Sequence, residues 1–135
     1  MVRYLTVEEV LKIHEHQIQT YGGSHGIRDR GLLESACAQP MMSFSDEERH
    51  KTLFEKAAAY AFFIIKNHPL LDGNKRTGLH TALVFLYLNG IEIDISPEEL
   101  YKETMALAKG KKKLQDFAAI LALHAYGINS NSFFR

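Results

Sequence analysis

Two apolar segments dominate this chain, Ala57 to Ile65 without a charge and Leu79 to Leu88 broken only by His80 and Thr81. Segments so long and so apolar belong in a core, so each is expected to be a buried helix. What joins them is then held on a rigid scaffold. The joint reads His68-Pro69-Leu70-Leu71-Asp72-Gly73-Asn74-Lys75-Arg76 and packs an imidazole, a carboxylate, a glycine, an amide and two cations into one connector.

Around this pair the sequence predicts further helices. Thr6 and Glu9 form a capping box, and Val7, Val10, Leu11, His14 and Ile18 recur at helical spacing, which predicts a first helix over residues 7–20. It stops at Gly22-Gly23, where a loop holding four of the nine glycines begins. Such a loop is shaped by positive-φ positions. Asp29 is placed to cap a short helix over 30–38 that ends before Pro40.

Residues 40–45 have no helical period and predict an extended flap, whose apolar side chains pack down or meet a partner chain. Ser45 and Glu48 match a second capping box, which predicts that the long third helix starts there and runs to about residue 66. After the joint a fourth helix is expected over 74–89, closed by Asn89-Gly90. Ile91, Ile93 and Ile95 alternate with acids, a pattern read as a short extended link rather than a sheet. Ser96-Pro97-Glu98-Glu99 starts a fifth helix that reaches Ala108. Lys111, Lys112 and Lys113 read as a solvated approach to a last helix, spaced by Phe117, Ile120, Leu121 and His124 and ending at Gly127. The expected architecture is all-α, about six helices in one domain spanning 1–135, with residues 128–135 as a tail.

Composition narrows the class. With a formal net charge of +0 the chain has no basic surface to hold nucleic acid or a membrane, so neither is expected as a direct partner. No apolar run reaches the roughly 18 residues of a membrane span, and the chain begins without the apolar core of a signal peptide, so a cytoplasmic location is expected. Cys37 is the single cysteine and sits among Leu33, Ala36 and Ala38, which marks it as a small core residue. The seven histidines are scattered, and His14 and His16 fall on different sides of a helix, so they make a poor metal cluster.

The joint is another matter. Pro69 disfavours helical geometry at His68, so the third helix ends there with the imidazole projecting. Gly73 and Asn74 open the next helix, whose unpaired N–H groups and dipole attract an anion, with Lys75 and Arg76 alongside. A phosphate at the helix start, a divalent cation on Asp72 and a base at His68 fit within one loop.

His-Pro-Leu-Leu-Asp-Gly-Asn-Lys-Arg resembles the signature loop of the Fic/Doc superfamily, and among its branches the Doc, or death-on-curing, toxins. The likeness extends to Tyr21-Gly22-Gly23, Gly26-Ile27-Arg28-Asp29, Gly31-Leu32-Leu33-Glu34 and Pro40, and covers about residues 4–127. It implies the Fic/Doc-type helical bundle and a toxin of a toxin–antitoxin pair that uses ATP and Mg²⁺ to modify a protein hydroxyl. For the Doc branch that reaction is transfer of the γ-phosphate to a threonine of elongation factor Tu, arresting translation. Carried onto this chain, His68 is the general base, Asp72 holds Mg²⁺, Gly73 and Asn74 cradle the phosphate, and Lys75 and Arg76 neutralise it.

Lys75 stands where the adenylylating Fic branch has a second glycine, and Leu79 where it has a further arginine. Both favour phosphate over nucleotidyl transfer; the alternatives are a Fic-type nucleotidyltransferase or a catalytically idle antitoxin-binding module. Leu70 replaces the usual phenylalanine and should still anchor the loop in the core. His80 is expected to pack or to support the site from behind, the alternative being that it faces the nucleotide. The inhibitory string Ser/Thr-x-x-x-Ala/Glu-Glu-Gly/Asn does not occur, so the resemblance implies inhibition by a separate antitoxin whose segment folds into a groove on the toxin.

Overall fold

A computed structural model describes residues 1–127 of this chain; the tail expected over 128–135 lies outside the described residues. Six α-helices carry the fold among those residues: α1 Val7–Tyr21, α2 Arg30–Ala38, α3 Leu53–Asn67, α4 Asn74–Leu88, α5 Pro97–Ala108 and α6 Leu114–Leu123. The only strands among them are short: β1 Ser43–Phe44 with β2 Glu47–Glu48, and β3 Ile91–Ile93 with β4 Ala125–Gly127. The all-α expectation holds.

The two apolar segments form an antiparallel pair, α3 and α4, at the centre. Ala57 through Ala61 and Ile64 on α3 are buried, as are Leu79, Ala82, Phe85 and Leu86 on α4. Close approach is permitted by Gly78, where a Cβ would come within 3.0 Å of the Ala61 carbonyl oxygen. α3 also packs against α2 and α6, and α1 lies against α4. The segment before α1 is pinned by Tyr60 of α3, whose hydroxyl accepts from the Leu5 N–H at 2.9 Å and donates to the Leu5 carbonyl. Burial drives the Tyr60 phenol upward from its ordinary pKa, so it stays neutral in this role.

Several helix starts fall where their capping residues sit. Thr6 and Glu9 form the capping box of α1, Asp29 Oδ1 accepts from the Leu32 N–H at 3.0 Å, and Ser96 Oγ accepts from the Glu99 N–H at 3.2 Å. Cys37 is buried, and the apolar surroundings push its thiol up to about 11.

Three expectations need correction. Ser45 does not cap α3: Ser45 and Asp46 have φ of 52° and 65° and make the turn of the β1–β2 hairpin. The working capping box is Thr52 with Glu55, the same sequence pattern placed next to the first apolar residue of the helix. The isoleucine link is a strand, paired antiparallel with residues 125–127 so that Ile91 faces Gly127 and Ile93 faces Ala125. The last helix therefore ends at Leu123 rather than Gly127, because residues 125–127 go to that ladder instead.

Candidate active site

The joint between α3 and α4 is a rigid, strapped loop. His68 follows the last residue of α3 with φ 49° and ψ 51°, a left-handed conformation that costs a non-glycine residue about 1–2 kcal/mol. The cost is offset by an external strap. Arg28 donates from Nε to the His68 carbonyl at 2.6 Å and from Nη2 to the Asn67 carbonyl at 2.9 Å. Its own N–H and that of Asp29 donate to the Pro69 carbonyl at 2.7 and 2.9 Å. The Leu71 N–H donates to the Gly26 carbonyl, and Ile27 bridges Leu70.

Inside the loop, Leu70 is fully buried, as the anchoring expectation required. Asn74 closes the turn onto it: its Oδ1 accepts from the Leu70 N–H and its Nδ2 donates to the Leu70 carbonyl, both at 2.9 Å. The Asn74 side chain is thus buried and spent on the loop. What it leaves for a ligand is its backbone N–H at the start of α4.

Asp72 is exposed and held by three groups. Its Oδ1 accepts from the Gly73 N–H at 2.9 Å and its Oδ2 from the Ser24 N–H at 3.1 Å. Its carbonyl meets Nε2 of His14 at 2.8 Å, and since a carbonyl only accepts, that nitrogen carries the hydrogen. Gly73 has φ 76° and Gly23 φ 113°; a Cβ at Gly23 would lie 2.5 Å from Asp72 Oδ2, so the carboxylate fits only against glycine. His14 is buried and belongs to the apolar stripe of α1, which hid its polar task.

Lys75 and Arg76 are exposed on the first turn of α4, and the Arg76 guanidinium stacks 4.3 Å from the Tyr21 ring centroid. Tyr21 also borders a cavity of about 410 Å³ between α1 and α4, lined by Ile13, Gln17, His80 and Val84 as well. Gln17 is buried and its Oε1 has no partner among the described residues. His80 lies on this wall, one turn past Arg76. Burial, then Arg76 and His16, lower its pKa.

The site therefore brings His68, Asp72, Gly73, Lys75 and Arg76 to one exposed loop end, with Asn74 beneath. No group of three or more His, Cys, Asp or Glu side chains that could hold a metal occurs among the described residues. A cation here would rest on Asp72 and on oxygens brought by a phosphate ligand, the usual arrangement for Mg²⁺. The Asp72 carboxylate fits that role: it is exposed, and each of its oxygens accepts only one hydrogen bond.

Residues 4–86 match the model of the Fic/DOC family. The chain belongs to that family. It falls in the Doc branch: it is 34% identical over 120 residues to the protein kinase doc of Escherichia phage P1, covering 89% of this chain and 94% of the relative. It is 38% identical over 93 residues to the toxin Doc of Mycolicibacterium smegmatis, covering 69% of each. As a Doc-type toxin it is a protein-modifying enzyme at the level of its family. No helix among the described residues is long and apolar enough to cross a membrane.

Sequence reasoning missed the parts that hold the loop. Arg28 was visible only as a match to the family pattern and Gly23 as a helix stop as well, and no sequence signal tied them to Asn67, His68 and Asp72. His14 had one clue, a histidine on an otherwise apolar helix face.

Proposed function

We propose that this Doc-type toxin transfers the γ-phosphate of ATP to a threonine hydroxyl of a translation factor, elongation factor Tu being the expected substrate, and so arrests translation in the cytoplasm. The observation that carries the reading is the strapped loop end, with an exposed imidazole, an exposed carboxylate and a helix N-terminus flanked by two cations. Phosphoryl transfer asks little covalent chemistry of a protein and much positioning and charge stabilisation.

His68 is the general base. Its imidazole takes the hydroxyl proton as the threonine oxygen bonds to the γ-phosphorus; the bond from phosphorus to the bridging oxygen breaks, and that electron pair leaves with ADP. A neutral imidazole nitrogen offers the lone pair that accepts this proton. Lys75, Arg76 and the N–H groups of the first turn of α4, including that of Asn74, stabilise the transferring phosphate. Gly73 lets the backbone approach closely. Asp72 holds Mg²⁺, which supplies charge neutralisation of the phosphates when bound.

The cavity beside Tyr21 has the size of a small-molecule site, and the unpartnered Gln17 oxygen in its wall suits a donor on a bound nucleotide. The partner antitoxin would silence the toxin by covering this region. Expression of the chain in bacteria tests the reading: growth arrest by the parent and its loss in His68→Ala is expected, and equal arrest by both would remove His68 from the mechanism.

A further inference from the structure

A second cavity, of about 370 Å³, opens between the ends of α3 and α5, and none of the residues given roles above lines it. Phe62, Ile65 and Leu107 line it, with Lys66, Ala108 and Gly110. The Lys66 ammonium lies 5.6 Å from the Phe62 ring centroid and 6.0 Å from that of Phe63, so the cation sits beside an apolar floor. Lys109 and Lys111 bracket Gly110, and Lys113 follows; all four lysines are exposed.

Ordinary electrostatics accounts for only part of this cluster. Lys66 and Lys109 lie at helix C-termini, where a cation is favoured. Lys113 is the reverse case, since it occupies the N-cap of α6, where a side-chain oxygen is preferred. Lys112 is paired with Glu103 at 2.9 Å and the Asp116 carboxylate accepts from the Lys113 backbone N–H at 2.8 Å, but among the described residues the ammonium groups of Lys66, Lys109, Lys111 and Lys113 have no ion-pair partner. In a chain of net charge +0 that is a local excess.

We infer that this groove docks an acidic, amphipathic segment of the protein that the toxin modifies. Apolar side chains of the segment enter between α3 and α5 while its carboxylates meet the lysine rim. A nucleic-acid backbone would use the cations and leave the aliphatic floor idle, whereas an acidic amphipathic helix or strand uses both. Location favours the substrate as occupant. Lys66 lies in the last turn of α3, two residues before His68, so a segment held here arrives beside the reacting loop. The identity of that protein rests on the function proposed above; the chemistry of the groove does not.

The test uses the whole chain and its Lys66→Glu, Lys109→Glu, Lys111→Glu triple variant, whose exposed positions leave the core intact. Thermal unfolding checks the fold, and the corresponding triple glutamine variant should give an intermediate result. A fluorescent peptide with one leucine face and one glutamate face is titrated by anisotropy. The parent should bind it at least about tenfold more tightly than the glutamate variant, and added salt should weaken that binding. With elongation factor Tu as substrate, the same variant should raise KM roughly tenfold and keep kcat, the signature of lost docking. Equal peptide binding by parent and variant overturns the proposal, as does an unchanged KM. So does displacement of the peptide by a single-stranded oligonucleotide, or concentration-dependent dimer formation that the variant abolishes. If the parent transfers no phosphate at all, the function proposed above fails and peptide binding alone decides the groove.

Discussion

Arg28 donates to the His68 carbonyl at 2.6 Å across a sequence separation of 40, and the same guanidinium reaches the Asn67 carbonyl. One side chain thus caps the last carbonyls of α3 and fixes the residue proposed as base in its left-handed conformation. Arg28→Leu should lower the unfolding free energy by about 1.5–3 kcal/mol, the usual worth of hydrogen bonds to a charged group. It should lower kcat by more than tenfold, since the loop then relaxes towards ordinary backbone geometry. Arg28→Lys should recover little, because an ammonium cannot span both carbonyls as the planar fork does. Urea unfolding alongside initial rates would separate the two effects.

Gly23 and Asp72 are a matched pair. In Gly23→Ala the new methyl would lie 2.5 Å from Asp72 Oδ2 on a backbone at φ 113°. The carboxylate must move. A shift in the Mg²⁺ concentration giving half-maximal activity, measured beside a melting curve, should far exceed the loss of stability, which is about 1 kcal/mol for an alanine forced to positive φ.

Asn74 is expected to behave as a fold residue as much as a phosphate neighbour. Asn74→Asp keeps an acceptor for the Leu70 N–H but sets a second oxygen against the Leu70 carbonyl, where Nδ2 now donates. Leaving a buried carbonyl unpaired costs about 1–3 kcal/mol, and chemical denaturation should report that loss even without nucleotide.

The protein should lose stability as pH falls below 6.5. Burial lowers the pKa of both His50 and His80 from the ordinary 6.5, so between the two values the unfolded chain binds protons that the folded chain does not. Stability then rises with pH across that window and levels off above it. His50 is the cleaner probe, being distant in sequence from the proposed site and packed edge-on against Phe63. His50→Phe should flatten the pH dependence of the unfolding midpoint between pH 5 and 7; an unchanged slope would remove His50 as a contributor.

Local signals made much of this fold legible. Apolar period, caps and glycine stops are written within a few residues of the helix ends they control, so α1, α2, α4 and α5 could be bounded to within a residue or so. The failures have one physical origin. Ser45 with Glu48 and Thr52 with Glu55 are the same capping pattern, and only the hairpin between β1 and β2 selects the second. The pairing of Ile91 to Ile93 with residues 125–127 joins segments far apart in the chain and leaves no local trace. At the site, the chemistry-bearing residues sit in one continuous stretch and were readable together. The groups that shape them, His14, Gly23, Ser24 and Arg28, come from another part of the chain and become visible only once the chain is folded.

The most direct measurement of the central claim is label transfer from ATP to elongation factor Tu, run with ATP labelled at the γ position and separately at the α position. The γ label should appear on a threonine, the α label should not, and His68→Ala should abolish transfer. Transfer of the α label, or undiminished transfer by His68→Ala, would contradict the account.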